Sequence, residues 1–347
     1  MYLYEVMKAV QLIEVDKDLE NREVPKPEVK GDEVLVKIKA AGICHSDVHY
    51  RDGVGSVDKL PITLGHEIAG EVEEVGPNVT RFKKGDRVCV NYMITCGKCH
   101  FCAKGSEQFC EKGNMIGKNV DGGYAEYISI PSRGVYKLPD SVSFEHAAVM
   151  MCSTATSMHA LKKTRFQPGE TLAIFGFGGL GVSAFQLAKA FGARDIYAID
   201  IDPDKLKSAK EMGAIPINAK DVDPVEKIME LTNGVGVDVA LELVGLPLTL
   251  DQGTRVLARF GRLGLVGITR DPWEVDSYEA ICREKEIIGC SDHLLSELPM
   301  ILDLADQGKL DLSNVVTKEV PLEADPINEV YHQLKKFKAD FRTVIKP

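Results

Sequence analysis

Four cysteines stand close together: Cys96, Cys99, Cys102 and Cys110 have the spacing C-x2-C-x2-C-x7-C, with Gly97 and Gly105 able to turn the chain around a centre. Four thiolates fill a tetrahedral zinc shell and leave no open position, so zinc held here is expected to be structural. Three other readings compete. An iron–sulfur cluster also uses C-x2-C-x2-C, but that run usually continues as x3-C-P, which is absent. A thioredoxin-like C-x-x-C belongs at a strand-to-helix junction, and this segment has no such setting; chance clustering of free thiols is the third. A second set is scattered: Cys44 in AGICHSDVH, His66 and Glu67 in LGHE, and Cys152 in MMCSTA. Taken singly, each has an ordinary reading, the cysteines as small buried hydrophobes and the histidine as a hydrogen-bonded core residue. As a set they are candidate ligands of a catalytic metal.

A third feature is Gly176-Phe177-Gly178-Gly179-Leu180-Gly181, directly after the apolar run TLAIF. In such a turn Gly176 permits the tight bend, Gly178 lets the backbone approach a pyrophosphate, and Gly181 lets helix and strand pack closely. The helix it opens offers free N–H groups and a positive dipole to the phosphates. Asp200 ends the next apolar run, 19 residues after Gly181. A carboxylate there accepts hydrogen bonds from the adenosine ribose and repels a 2′-phosphate, which favours NAD over NADP. Its competing reading is an N-cap for the helix starting near Pro203, although Asp202 is the better cap.

These residues need elements to position them. Up to about residue 150 the chain carries short β-rich runs, Glu33 to Ala40, Ile68 to Val75, Arg87 to Asn91 and Tyr124 to Ile130, as in an irregular, barrel-like β domain. From Thr171 the rhythm alternates: TLAIF, IYAI, IPIN, VDVALEL, GRLGLVG and KEIIGC are apolar runs, the first five each followed by a stretch able to form a helix. After the first of them, Leu180, Ala184, Leu187, Ala188 and Phe191 fall at helical spacing. The expected fold is therefore α/β, with a doubly wound, mainly parallel sheet beside a β-rich domain. The tail FRTVIKP is expected to pack back on the first domain, giving 1–152 with 292–347 as one domain and 153–291 as the other.

A length of 347 residues suits two domains. A net charge of −10 argues against a nucleic-acid partner, and no apolar run reaches the length of a membrane span. Nine cysteines, an odd number with four of them clustered, suit a reducing compartment, so the expected location is the cytoplasm.

The order of motifs, CHSDVH, GHE, the four-cysteine lobe, a lone cysteine, GFGGLG, the acidic strand end and the terminal FRTVI, resembles the zinc-dependent alcohol dehydrogenases of the medium-chain dehydrogenase/reductase superfamily. The likeness runs from about Met7 onward, so residues 1 to 6 read as an extension or a misplaced start. It implies a GroES-like catalytic domain, a Rossmann coenzyme domain, two zinc ions per chain and NAD. Carried over position by position, Cys44, His66 and Cys152 are direct ligands of the catalytic zinc. Glu67 is its fourth ligand, or a nearby carboxylate that exchanges with water or substrate. Asp47 fixes the ring of His66. Ser46 takes the proton of the alcohol, and His49 stands at the outer end of the proton relay. His45 and Arg342 contact the coenzyme pyrophosphate, and Lys205 joins the coenzyme contacts. The implied reaction is reversible oxidation of primary or secondary alcohols to aldehydes or ketones, in a homo-oligomer that is a tetramer before a dimer. Polyol and threonine dehydrogenases of the same superfamily are the alternative; they typically read C-G-[ST]-D where this chain has Cys44-His45-Ser46-Asp47, and often carry glutamate at the position of Cys152. A non-catalytic NAD-binding sensor or structural protein is the alternative of another class. Met93 and Ile94, with Met115 or Ile116, are candidate pocket residues for apolar substrates.

Overall fold

The apolar, β-branched segment EVLVKIKAAGI forms the strand Glu33–Ile43, almost wholly buried apart from Lys37, and the first unit is built around it. In the computed structural model, which describes residues 5–311, 313, 315–336 and 341–347, that unit comprises Met1–Cys152 with Leu294–Pro347, and the second comprises Ser153–His293. Of the residues read as an N-terminal extension, 1–4 lie outside the described part; the strand Val6–Leu12 pairs antiparallel with Glu20–Pro25.

Along one edge the strand Glu33–Ile43 pairs antiparallel with Glu67–Val75. Tyr127–Pro131 also pairs antiparallel with its first half, and Thr343–Lys346 with its last residues. The registers Gly42 to Glu67 and Ile43 to Thr343 have a functional consequence. Cys44 follows this strand directly, Glu67 opens the neighbouring one and Arg342 precedes the other, so three distant segments deliver side chains to one strand end. The side chain of Glu67 occupies the space above Gly42, where any Cβ would collide with its carboxylate. Val34, Val36, Ile38, Ile68, Val88, Val90 and Ile128 form the buried interior.

The run expected to start at Tyr124 forms a strand only from Tyr127 to Pro131. Residues 124–126 spend their backbone groups elsewhere: Tyr124 N–H donates to Leu64 O, Val10 N–H to Tyr124 O, and Ile38 N–H to Glu126 O. Met93 and Ile116 are buried in the core of this unit, with Ile94 and Met115 packed against it.

In the second unit six strands pair in the order Ile215–Asn218, Ile196–Asp200, Leu172–Phe175, Val237–Glu242, Leu257–Leu265 and Glu286–Gly289. All five pairings are parallel. A helix follows each of the first five strands in the chain, from Gly179–Ala190 to Ser277–Cys282. The strand order reverses at Leu172–Phe175, and ligands bind such sheets beyond the carboxyl ends of the strands at this reversal. The glycine-rich turn stands there.

Candidate functional site

Cys44 is the N-cap of the short helix His45–Arg51, and Asp47 reaches back to accept its backbone N–H at 3.0 Å. The capping contact fixes Asp47, which is fully buried, so that its other oxygen meets His66 Nδ1 at 2.9 Å. A carboxylate can only accept, so Nδ1 carries the proton and Nε2 keeps its lone pair for a metal. Cys152 arrives from a single turn of π-helix, Met150–Thr154, a local rewinding found often at functional sites. The ligand atoms of Cys44, His66, Glu67 and Cys152 all lie within 4.8 Å of one another.

The electrostatics of this cluster suit a cation. The neighbouring Cys152 and His66 hold the Cys44 thiol well below its ordinary value. The hydrogen bond to Cys44 and burial push Cys152 well above its own. Burial and the Cys44 charge raise Glu67 to about 7, against the pull of Arg342. Oε1 of Glu67 is buried without a hydrogen-bond partner among the described residues. Two thiols, an imidazole and an orphan carboxylate oxygen, packed out of water, cost free energy unless a cation joins them. Two cysteines and one histidine around an exchangeable fourth position form the catalytic zinc shell of alcohol dehydrogenases, and these residues fit it.

Arg342, implied at the coenzyme pyrophosphate, is buried and ion-paired with Glu67. Burial opposes its charge, but Glu67, Cys44 and Cys152 outweigh that, and it stays firmly protonated. Its Nε has no partner among the described residues. Ser46 Oγ stands 3.7 Å from Cys44 Sγ, half-buried. One helical turn on, His49 is exposed; its ring centroid lies 4.9 Å from that of His45.

In the four-cysteine lobe, Cys96 and Cys102 have sulfurs 3.9 Å apart, as do Cys99 and Cys110. Around a tetrahedral zinc with Zn–S near 2.3 Å, sulfurs are separated by ~3.8 Å. Backbone N–H groups of Cys96 and Cys99 point at the sulfurs of Cys110 and Cys96, each at 3.3 Å. The N–H groups of Lys98 and Cys99 draw the Cys96 thiol down to about 6, while burial pushes Cys102 up to about 12. Such thiols ionise together only around a cation, and a zinc ion fits them.

At the glycine-rich turn, Gly176 has φ +94°, a conformation that side chains rarely adopt. A Cβ on Gly181 would collide with Gly176 O, so close packing demands the last glycine. Gly178 has open space where a Cβ would stand. Gly179 and Leu180 open the helix Gly179–Ala190, whose N-terminus no side chain caps. Asp200 accepts the backbone N–H groups of Phe177, Ile201 and Asp202 at 2.7, 2.7 and 3.0 Å. It is not the cap of the next helix: Asp202 caps Pro203–Met212 by accepting from Asp204 and Lys205 N–H. Lys205 lies half-buried in that first turn. An open turn, an uncapped helix end and a carboxylate beside it fit NAD.

Sequence reasoning missed Tyr124 and Tyr331. Tyr124 Oη donates to Asp47 Oδ2 at 2.8 Å and receives a bond from Tyr331 Oη at 3.3 Å. Tyrosines in such segments read as core residues, and no local pattern marks them.

Comparison with known proteins places this geometry in a family. Residues 30–140 match the model of the alcohol dehydrogenase GroES-like domain, and residues 179–306 that of zinc-binding dehydrogenases. The chain is 39% identical to the NAD-dependent alcohol dehydrogenase of Sulfurisphaera tokodaii, over 98% of this chain and all of that protein. It is 38% identical to the sorbitol dehydrogenase of Bacillus subtilis, over 86% of each. The crystal structure of the alcohol dehydrogenase from Aeropyrum pernix superposes with a TM-score of 0.89 at 36% identity, over 98% of this chain and all of that one. The chain belongs to the zinc-dependent, NAD-linked alcohol dehydrogenases of the medium-chain dehydrogenase/reductase superfamily.

Proposed function

We propose that this enzyme oxidises primary or secondary alcohols reversibly to aldehydes or ketones, with Cys44, His66 and Cys152 holding the catalytic zinc and Cys96, Cys99, Cys102 and Cys110 the structural one. The observation that carries this reading is the crowding of Cys44, His66, Glu67 and Cys152 at one strand end. Bound there, zinc supplies Lewis-acid polarisation of an alcohol oxygen, and NAD supplies the hydride acceptor. The chain's own residues do the rest. Asp47 keeps His66 in the tautomer that presents Nε2. Ser46 Oγ, close to Cys44 Sγ, takes the hydroxyl proton while releasing its own towards His49, which on the exposed face passes a proton to solvent. Glu67 shares the exchangeable fourth position, steadied by Arg342. Gly176, Gly178, Gly179, Leu180, Gly181, Asp200 and Lys205 bind the coenzyme. His45 and Arg342 are assigned to its pyrophosphate.

The test is NAD reduction by the purified protein with a panel of primary and secondary alcohols. Sorbitol, 2,3-butanediol and threonine belong in the panel, given the relative that acts as a sorbitol dehydrogenase. Preference for polyols or threonine would replace the substrate class, and no turnover with any of them would leave only coenzyme binding. No described helix is long and apolar enough to cross a membrane. Two clusters of cysteines that must stay reduced to hold metal support a cytoplasmic enzyme. Ile268, Ile281 and Tyr278, exposed by 86%, 75% and 73%, support a homo-oligomer, a tetramer before a dimer, which light scattering tests.

Coenzyme choice is tested at Asp200. Asp200→Gly removes the ribose acceptor and the negative charge, and NAD binding is expected to weaken by about tenfold or more, the worth of a hydrogen bond to a charged group. Because Asp200 also holds three backbone N–H groups, the loop will shift, which lowers NAD and NADP affinity together. The decisive quantity is therefore the NADP-to-NAD ratio of kcat/KM, expected to rise. A wild type that uses both coenzymes equally would remove Asp200 from this role.

A further inference from the structure

We propose that the hydroxyls of Tyr124 and Tyr331 form a donor chain onto Asp47 that positions His66, so that both tyrosines set the affinity and geometry of the catalytic metal without touching it. The inference rests on the reading of Cys44, His66 and Cys152 as that metal's site. Asp47 is wholly buried and accepts three hydrogen bonds: His66 Nδ1–H on one oxygen, Cys44 N–H and Tyr124 O–H on the other. Each of these donors satisfies a lone pair that no water reaches, and removing one leaves that lone pair unsatisfied. Since Asp47 cannot donate, the Tyr124 proton is committed to it, and the Tyr331 hydroxyl must donate onward to Tyr124. The polarity of the chain is thereby fixed, from Tyr331 through Tyr124 to Asp47. Burial and the Asp47 charge hold both phenols well above their ordinary values, so they remain donors.

The positions of both rings are built in. The Tyr124 ring lies against Gly65, the residue before His66, where a Cβ would collide with it. Its backbone is tied on both sides, N–H to Leu64 and O from Val10. Tyr331 comes from the helix Ala324–Lys335, fully buried, its ring edge-on to Tyr124 at 6.5 Å and beneath the Arg51 guanidinium at 5.4 Å. The C-terminal helix thus reaches the metal site through two hydroxyl groups.

The test is a double-mutant cycle on the holoenzyme, read by zinc release to a chromophoric chelator and by the visible spectrum of the cobalt-substituted protein. Partners bonded straight to a ligand histidine typically govern metal affinity by 10- to 100-fold, and Asp47→Asn is expected in that range. Tyr124→Phe keeps the ring and removes only the donor; it should raise the Kd for zinc at the site of Cys44, His66 and Cys152 about 3- to 10-fold and shift the cobalt bands, one step further out. Tyr331→Phe should act in the same direction and less. Tyr124→Phe added to Asp47→Asn should cost nothing more, because the hydroxyl acts only through the carboxylate. A merely structural tyrosine would lower Tm and leave affinity and spectrum unmoved. Two zinc ions per wild-type chain with unaltered affinity in both Phe variants, or additive effects with Asp47→Asn, would overturn the donor chain. A wild-type chain whose single zinc is the one lost in Cys99→Ser would overturn the metal site itself, and the chain's role with it.

Discussion

Ser46→Ala is expected to lower turnover by ~10² to 10⁴-fold, the usual cost of losing a positioned proton acceptor, with zinc content and NAD affinity nearly unchanged. The substitution leaves all four clustered ligands and the glycine-rich turn intact. What it removes is the half-buried hydroxyl 3.7 Å from Cys44 Sγ, on the same short helix as the exposed His49. His49→Ala is the contrast. His49 is exposed one turn further on, where water can partly replace it. Its effect should be smaller and should shrink as pH rises and solvent base takes over the proton. The comparison is made on pH profiles of both variants at saturating NAD, with a deuterated alcohol reporting whether hydride transfer limits the rate. Wild-type turnover of Ser46→Ala under rate-limiting hydride transfer would take Ser46 out of the path and leave Glu67, in the same ligand cluster, as the acceptor to test.

The second large effect is on stability. Cys99→Ser should lower Tm by about 6–12 °C, which corresponds to a loss of ~3 kcal/mol of metal-linked folding energy in a domain of this size. Activity per folded molecule should stay largely intact, because four thiolates leave the lobe metal no open position for substrate. The energy comes from the lobe itself: it has little apolar core, and without a cation its crowded thiols, with Cys96 drawn down and Cys102 pushed up, oppose one another. Elemental analysis of wild type should find two zinc ions per chain, falling to one in the variant. Iron in the lobe, or a visible charge-transfer band, would defeat the structural-zinc reading.

Much of this enzyme is legible in its sequence, for identifiable physical reasons. The C-x2-C-x2-C-x7-C lobe and GFGGLG are local: their ligands and turns lie within a few residues, so spacing specifies geometry. The six apolar runs between Thr171 and Cys290 became six parallel strands. The inner strands Leu172–Phe175, Ile196–Asp200 and Val237–Glu242 are buried almost throughout and so must be apolar, which composition records directly, whereas the edge strand Glu286–Gly289 is largely exposed. Asp202 as helix cap is equally local. Other features depend on contacts between distant segments. No pattern near Glu67 or Arg342 announces their ion pair, which joins residues 275 positions apart because the C-terminal strand pairs with Glu33–Ile43. Nor does GGYAEY announce that Tyr124 leaves the expected strand to bond Asp47, or that Tyr331 stands behind it. A buried charge must find its donors wherever the fold brings them, and hydrophobic periodicity carries no record of that choice. The sequence by itself determined the metals, the coenzyme turn and the two kinds of sheet; only the tertiary structure decided what surrounds Asp47 and Glu67, because those partners are chosen by strand register and helix docking across the whole unit.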